Sequence, residues 1–326
     1  MNIRERMNEL PREILAALPT PVQRLYNTER MLNAAYPMYI KRDDLTGIGA
    51  GGNKVRCMEY IIGEAKEEGC DTVLVSGGAQ SNFCSLAAAS CARAGLKCVI
   101  VHNSDEPEER QGNVLLNDLM GVERIWMGAC DSSVREQYVY EVRDQLKERG
   151  DRPYLIRGYG GINSLGYVNA VIEMVDQFRE EGLDVRHVFA PGGNAGIASG
   201  LIYGNALMGF PFRIHIISVE DDTETLSAHI RDAIAEMEQI TGIPFAHEVR
   251  DAADIVEDYR GEGWGINTPE STEMVKDFVR TEGIHIENIY NAKLLVGYED
   301  MVKKGTIEGA SVVIHTGGFG SLFAQY

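Results

Sequence analysis

The chain has 326 residues, 44% hydrophobic and 25% charged, enough for two domains of roughly 100–200 residues each. Lys and Arg total 31 against 49 Asp and Glu, a net of −18, so the basic face that nucleic-acid binding needs is missing. No apolar stretch reaches the ~18 residues of a membrane span, and the charged Met1–Leu10 lacks a secretory core, so a cytoplasmic protein without membrane contact is expected. Six cysteines (Cys57, Cys70, Cys84, Cys91, Cys98, Cys130) lie in the first half without a C-x-x-C pair. That pattern speaks for free thiols and against a zinc site or a disulfide framework.

In chain order, short apolar runs alternate with helical periodicity, the pattern of βαβ units around parallel sheets. From Lys54 a helix is predicted on Val55, Met58, Ile62 and Ala65, ended by Gly69. Thr72–Ser76 reads as a buried strand, Phe83–Ala94 as a small-residue helix stopped by Gly95, and Lys97–His102 as the next strand. A strand near 124–127, a helix near 132–148 and a strand at 153–156 follow. A second series begins at the Gly158–Gly161 turn, with a helix through Ala170 and Phe178 and strands at 187–190 and 213–219. Helices at 268–281 and 291–304 precede a last strand, 311–315. The expected architecture is two α/β sub-domains with a ligand beyond the carboxyl ends of the strands.

Four glycine-rich loops lie where such sheets bind ligands. Gly47, Gly49 and Gly52 satisfy G-x-G-x-x-G, but the polar Lys41–Asp44 separates them from the apolar Met38–Ile40, whereas a dinucleotide loop leaves a strand directly. Asn53 between Gly52 and Lys54 excludes a Walker loop. A lysine opening a helix after two glycines can be approached by a planar ligand, and the helix N-terminus favours its nucleophilic amine. The loop Ser76–Asn82 (SGGAQSN) suits a carboxylate through backbone N–H groups and the Ser81 hydroxyl, and equally a plain helix cap. Gly192, Gly193, Asn194, Ala195 and Gly196 lie between a strand and a helix, a phosphate cradle that needs no basic residue. His315-Thr316-Gly317-Gly318 follows the last strand, where a hydroxyl can reach a heterocycle nitrogen or simply end the strand. Tyr290, at a helix start, suits an acid or base; His102, His187, His215 and His315 read as core histidines.

Taken together these loops resemble the fold type II enzymes of pyridoxal 5′-phosphate, in the branch of D-cysteine desulfhydrase and 1-aminocyclopropane-1-carboxylate (ACC) deaminase. The matching segments, in order, are IKRDD (40–44), GGNK (51–54), GGAQSN (77–82), RGYGGINSLG (157–166), GWGIN (263–267), EGIHIENIYNAK (282–293) and HTGG (315–318). The resemblance implies a tryptophan synthase β-like fold: a large cofactor-binding domain of residues 1–53 and 160–326, a small domain of residues 54–159, and the active site in the cleft. It implies Lys54 as the Schiff-base lysine and proton shuttle, Asn82 beside the cofactor's phenolic oxygen, and Ser81 near the substrate carboxylate. Gly192, Gly193, Asn194, Ala195 and Gly196 would hold the phosphate, Thr316 would face the pyridine nitrogen, and Gln80, Trp264, Tyr290 and Asn291 would line the substrate site. A homodimer and a small amino-acid substrate, with no metal, are carried over with it.

The sequence departs from the branch where substrate is decided. Phe83 follows Gln80-Ser81-Asn82 in place of a histidine, Trp264 replaces a second tyrosine, and Asn291 stands where ACC deaminases carry a glutamate. The PGGNAG loop is closer to that of threonine synthases. The expectation is β-elimination from a small amino acid, with D-cysteine the leading substrate and cysteate, another β-substituted alanine or a diamino acid as rivals; ACC ring opening is disfavoured. Readings of a different class are an NAD(P)-dependent oxidoreductase built on Gly47, Gly49 and Gly52, and an inert protein that binds pyridoxal phosphate.

Overall fold

The protein is described from a computed structural model over residues 2–158 and 160–325; Tyr159 of the RGYGGINSLG motif lies outside them. Among the described residues ten strands form: β1 (Val22–Arg24), β2 (Met38–Lys41), β3 (Thr72–Ser76), β4 (Lys97–His102), β5 (Glu123–Trp126), β6 (Pro153–Leu155), β7 (Val185–Gly192), β8 (Arg213–Ser218), β9 (Ala253–Val256) and β10 (Ala310–Ile314). They make two sheets in two compact units. This is the α/β fold type II architecture, with each sheet flanked by helices.

The larger unit comprises Met1–Leu10, Leu18–Leu45 and Tyr159–Gly317, and its six strands run in the order β1-β2-β10-β7-β8-β9. All neighbours are parallel except β1 on β2. Strands buried on both faces read as continuous apolar runs, which is why Val188–Ala190 and Ile214–Ile217 carry almost no surface. The chain moves from β7 to β8 and β9 on one side, while β10 inserts on the other side of β7. The strand order therefore reverses between β7 and β10, and loops at their carboxyl ends frame the crevice where open α/β sheets bind ligands.

The smaller unit comprises Pro11–Ala17, Thr46–Gly158 and Gly318–Tyr326, with an all-parallel sheet in the order β5-β4-β3-β6. Its order reverses at β3, so the loop after β3 holds the equivalent position. Leu74, Val99 and Val101 pack with Val139, Val142 and Leu146 of the helix Ser132–Glu148 to form a core. Segments 11–17, 46–53 and 318–326 pack here, although the sequence alone groups them with the other unit. One cause is Glu59, 1% exposed, whose carboxylate accepts the N–H groups of Leu15 and Ala16 at 2.9 Å and the Arg12 guanidinium at 2.6 Å. A buried carboxylate needs such partners, and they happen to lie 43–47 residues upstream.

Candidate active site

In the smaller unit, Lys54 begins the helix Lys54–Glu67 directly after Asn53. The residue is partly exposed, but burial lowers its amine below the ordinary lysine pKa, opposed by the nearby Cys57. An amine held this way has a larger neutral, nucleophilic fraction. The preceding loop is no dinucleotide loop: it opens from the 3₁₀ turn Asp43–Leu45, not from a strand, and Thr46 staples it by accepting Gly52 N–H and donating to Gly52 C=O, each at 3.0 Å. That geometry overturns the oxidoreductase reading of Gly47, Gly49 and Gly52. Beside the lysine, Asn53 is 3% exposed and its Nδ2 has no acceptor among the described residues. Leaving such a donor unmet costs about 1–3 kcal/mol, so the position asks for an acceptor oxygen of a bound group.

The loop after β3 bends at Gly77, whose N–H donates to Val101 C=O at 3.0 Å and whose C=O accepts from His102 Nδ1 at 2.8 Å. A side chain there would crowd Cys84 Sγ at 2.8 Å and Ser81 Oγ at 3.0 Å. Ser81 caps the helix Asn82–Ala94 by accepting Cys84 N–H at 3.2 Å, so its own hydroxyl hydrogen is left to donate. Asn82 is oriented by Asn113, whose Nδ2 donates to Asn82 Oδ1 at 2.8 Å. That turns Asn82 Nδ2 the other way, where it makes one long bond to Ser321 Oγ at 3.3 Å and keeps a second hydrogen. Gln80 is engaged at both ends: its Oε1 accepts Asn113 N–H at 2.8 Å and its Nε2 donates to Gln111 C=O at 3.2 Å. Asn113, 2% exposed, is thus the organiser of Gln80 and Asn82 that sequence reading missed; its signal was only its position at the start of a helix, behind Gly112.

In the larger unit, β7 runs into Gly192, Gly193, Asn194 and Ala195, and the helix Gly196–Leu207 follows. Ala195 adopts a left-handed conformation (φ 62°), unfavourable for a residue with Cβ, and no side chain caps the helix. Gly196 N–H turns back onto Asn194 C=O at 2.8 Å, so an anion here would be met by the remaining backbone N–H groups of the turn and the helix start. A Cβ at Gly192 would stand 2.6 Å from Ile216 Cγ2 and 2.7 Å from Leu226 Cδ2, so the turn cannot take a larger residue.

At the end of β10, Thr316 is 8% exposed; its N–H donates to Asn291 Oδ1 at 2.9 Å, with its hydroxyl 3.2 Å from the same oxygen. Asn291 Nδ2 donates to Glu287 Oε1 at 2.9 Å and to Gly317 C=O at 2.8 Å, so the amide is fixed in one orientation. Glu287, 1% exposed, also accepts the N–H groups of Ile289, Tyr290 and Asn291. Burial still pushes its carboxyl above the ordinary pKa. His315 is a strut, as expected of a core histidine: its Nε2–H donates to His285 C=O at 2.8 Å and its Nδ1 accepts Gly317 N–H at 3.1 Å. The structure brings Tyr290, Trp264, Asn291, Thr316 and Gly193 together: Trp264 Nε1 donates to the Tyr290 oxygen at 2.7 Å, and a Cβ at Gly193 would lie 3.0 Å from Tyr290 Cε1. Lys293, 1% exposed, was not singled out from sequence; its amine donates to Arg260 C=O at 2.6 Å and Gly263 C=O at 2.8 Å, holding the loop before Trp264.

All six cysteines are free thiols. Among the described residues no helix is long and apolar enough to cross a membrane, and no cluster of His, Cys, Asp and Glu has the makings of a metal site.

The family described as "Pyridoxal-phosphate dependent enzyme" matches residues 14–317. The protein named putative 1-aminocyclopropane-1-carboxylate deaminase from Pyrococcus abyssi is 31% identical over 319 residues, covering 97% of this chain and 94% of its own. D-cysteine desulfhydrase from Salmonella paratyphi B is 29% identical over 337 residues, covering 98% of both. A crystal structure titled as that of an ACC deaminase homologue superposes with a TM-score of 0.90 at 31% identity, covering 99% of this chain and 96% of that one.

Proposed function

The chain belongs to the pyridoxal-phosphate dependent enzymes, and from that premise we propose that it catalyses β-elimination from a small amino acid, with D-cysteine the leading substrate and pyruvate, sulfide and ammonia the products. It is a lyase of the ACC deaminase and D-cysteine desulfhydrase family. The observation that carries the reading is the Lys54 amine, opening a helix and driven by burial toward its neutral form. Each unit has donors that fit the cofactor: in the smaller, Asn53 offers a buried N–H without an acceptor among the described residues and Asn82 Nδ2 keeps a hydrogen for the phenolic oxygen; in the larger, the helix Gly196–Leu207, without a capping side chain, would offer backbone N–H groups to the phosphate. When bound, pyridoxal phosphate supplies the electron sink that loosens the substrate's Cα proton.

The chain's own residues do the rest. The Ser81 hydroxyl, with its lone pair already engaged by Cys84 N–H, donates to the substrate carboxylate. Lys54 takes the Cα proton in its neutral form, and Tyr290 is the second group able to take or return one. Thr316 would face the ring nitrogen of the bound cofactor as a neutral group, which suits direct elimination. Asn291 supports elimination over ACC ring opening: an amide whose oxygen and nitrogen are both committed replaces the carboxylate of ACC deaminases. Gln80 and Trp264 complete the substrate side, and a cytoplasmic homodimer is carried over from the resemblance.

Incubating the purified enzyme with D- and L-cysteine, cysteate, β-chloroalanine, 2,3-diaminopropionate and ACC, with keto acid and ammonia as readouts, tests this. Release from D-cysteine above the others is expected. Release from ACC alone would overturn the elimination reading, and release from none would overturn the lyase reading.

A further inference from the structure

Tyr290 and its neighbours carry an asymmetry with chemical consequences. An indole nitrogen can only donate a hydrogen bond, whereas a phenol oxygen can donate or accept. The 2.7 Å contact between Trp264 Nε1 and the Tyr290 oxygen therefore has one direction: Tyr290 accepts. The ring is held on one side by the loop after β7, where a Cβ at Gly193 would stand 3.0 Å from it. Its backbone N–H is held by the Glu287 carboxylate at 3.0 Å.

Trp264 is itself held through its loop. Gly261, Gly263 and Gly265 all have positive φ (65°, 131° and 76°), a path that residues with Cβ rarely follow. The buried Lys293 amine then ties Arg260 C=O and Gly263 C=O to the helix that Tyr290 begins. The loop carrying the indole and the helix start carrying the phenol are thus pinned to each other by an ammonium three residues from Tyr290. Trp264 nevertheless remains 52% exposed, so its place is not that of a core residue.

We propose that Trp264 is a positioning residue for Tyr290: its one-way hydrogen bond holds the phenol oxygen as an acceptor and biases Tyr290 toward taking a proton. A donor facing that oxygen gains strength as negative charge develops on it, because hydrogen bonds to ionised acceptors are about twice as strong as neutral ones. A tyrosine in place of Trp264 could reverse the bond and present a lone pair instead. Charged groups of the described residues near Tyr290 include Glu287 on its own segment, Lys293 on the following helix, Arg260 on the loop before Trp264, and Glu220, whose carboxylate lies 3.8 Å from the same Gly193 Cβ position. The two carboxylates oppose a negative charge on Tyr290 and the two cations favour one, while Trp264 adds a neutral donor at the phenol oxygen itself. The inference rests on Tyr290 acting on a substrate proton, as proposed above.

The test is a spectroscopic tyrosine titration of the purified holoenzyme, wild type and Trp264→Phe, each minus its Tyr290→Phe counterpart so that the difference reads Tyr290 alone. Removing the donor while keeping an aromatic ring should raise the Tyr290 midpoint by about half a pH unit to one unit. The acid limb of kcat/KM should move by the same amount, and Trp264→His, which restores a ring N–H, should return most of the shift. An unchanged Tyr290 midpoint in Trp264→Phe, with Tyr290→Phe inactive, would overturn the role of Trp264 and leave that of Tyr290 standing. Full turnover by Tyr290→Phe would overturn both. Because Trp264 is half-exposed, a folding loss is not expected, and circular dichroism of each variant checks it.

Discussion

In the smaller sheet, the strand at the reversal, β3, runs into a loop whose proposed recognition groups are side chains, Ser81 and Asn82, with the proposed reactive Lys54 on a neighbouring helix. In the larger sheet, β7 runs into the Gly192–Gly196 loop, whose proposed recognition groups are backbone N–H, with no capping side chain on the helix that follows. Both are the carboxyl ends of parallel strands at a change of strand order, so the same topology produced both positions. What differs is the chemistry required. An amine that takes part in covalent chemistry must be a side chain whose pKa can be tuned by burial. A phosphate is held well by helix-start amides, which add no charge to a chain with a net of −18.

The sharpest test of this division is Lys54→Ala. If the smaller unit supplies the reactive group, turnover falls by at least about a hundredfold to ten-thousandfold and the visible absorption of the bound cofactor changes, while cofactor affinity persists through the other loop. Turnover within tenfold of wild type would break the comparison.

Gly192→Ala probes the backbone side. The new methyl meets Ile216 and Leu226 inside 3 Å, so a stability loss of about 1–3 kcal/mol is expected with weaker cofactor binding and an intact Lys54 amine. Urea unfolding and cofactor titration measure both. An unchanged cofactor affinity would show that the loop after β7 is a turn and nothing more.

The smallest expected effect treats the two units alike. Burial holds His102, in the smaller, and His315, in the larger, below the ordinary histidine pKa. His102 has a buried Nε2 without a partner among the described residues, and a proton on His315 Nδ1 would displace the Gly317 N–H, with the Asp44 carboxylate 3.9 Å away offsetting burial only in part. The unfolded chain takes those protons at about pH 6.5, and the folded chain only at lower pH. Stability is therefore complete above about pH 6.5 and declines as pH falls below it, by about 1 kcal/mol or more at pH 5.5. Urea midpoints at pH 7.5 and 5.5 check this; equal midpoints would mean that both imidazoles protonate freely in the fold.

Much of this was legible in the chain. Thr72–Ser76 and Lys97–His102 have the bounds that their apolar pattern predicts, because strands of a parallel sheet are apolar throughout and stand out between turn residues, and the helix Ser132–Glu148 lies where the alternation of strand and helix places it. The helix Thr223–Thr241 does not stand out in the same way, although Asp222 caps it by accepting Thr225 N–H and Gly242 ends it at φ 72°. Its apolar positions are diluted by acidic ones and form no continuous run. The short β1 and β9 have too few residues to show a period at all.

The sequence by itself determined the fold class and the cofactor family, through short segments that recur in order along the chain, and offered the reactive lysine and the phosphate-type loop as candidates, each written as a contiguous motif. Only the tertiary structure decided who orients whom: Asn113 on Asn82, Glu287 on Asn291, Lys293 on the loop of Trp264, and Trp264 on Tyr290. The reason is physical. A motif states which groups a short segment presents, but the direction of a hydrogen bond depends on a partner 4, 26, 30 or 31 residues away, and three of those four separations exceed any local period.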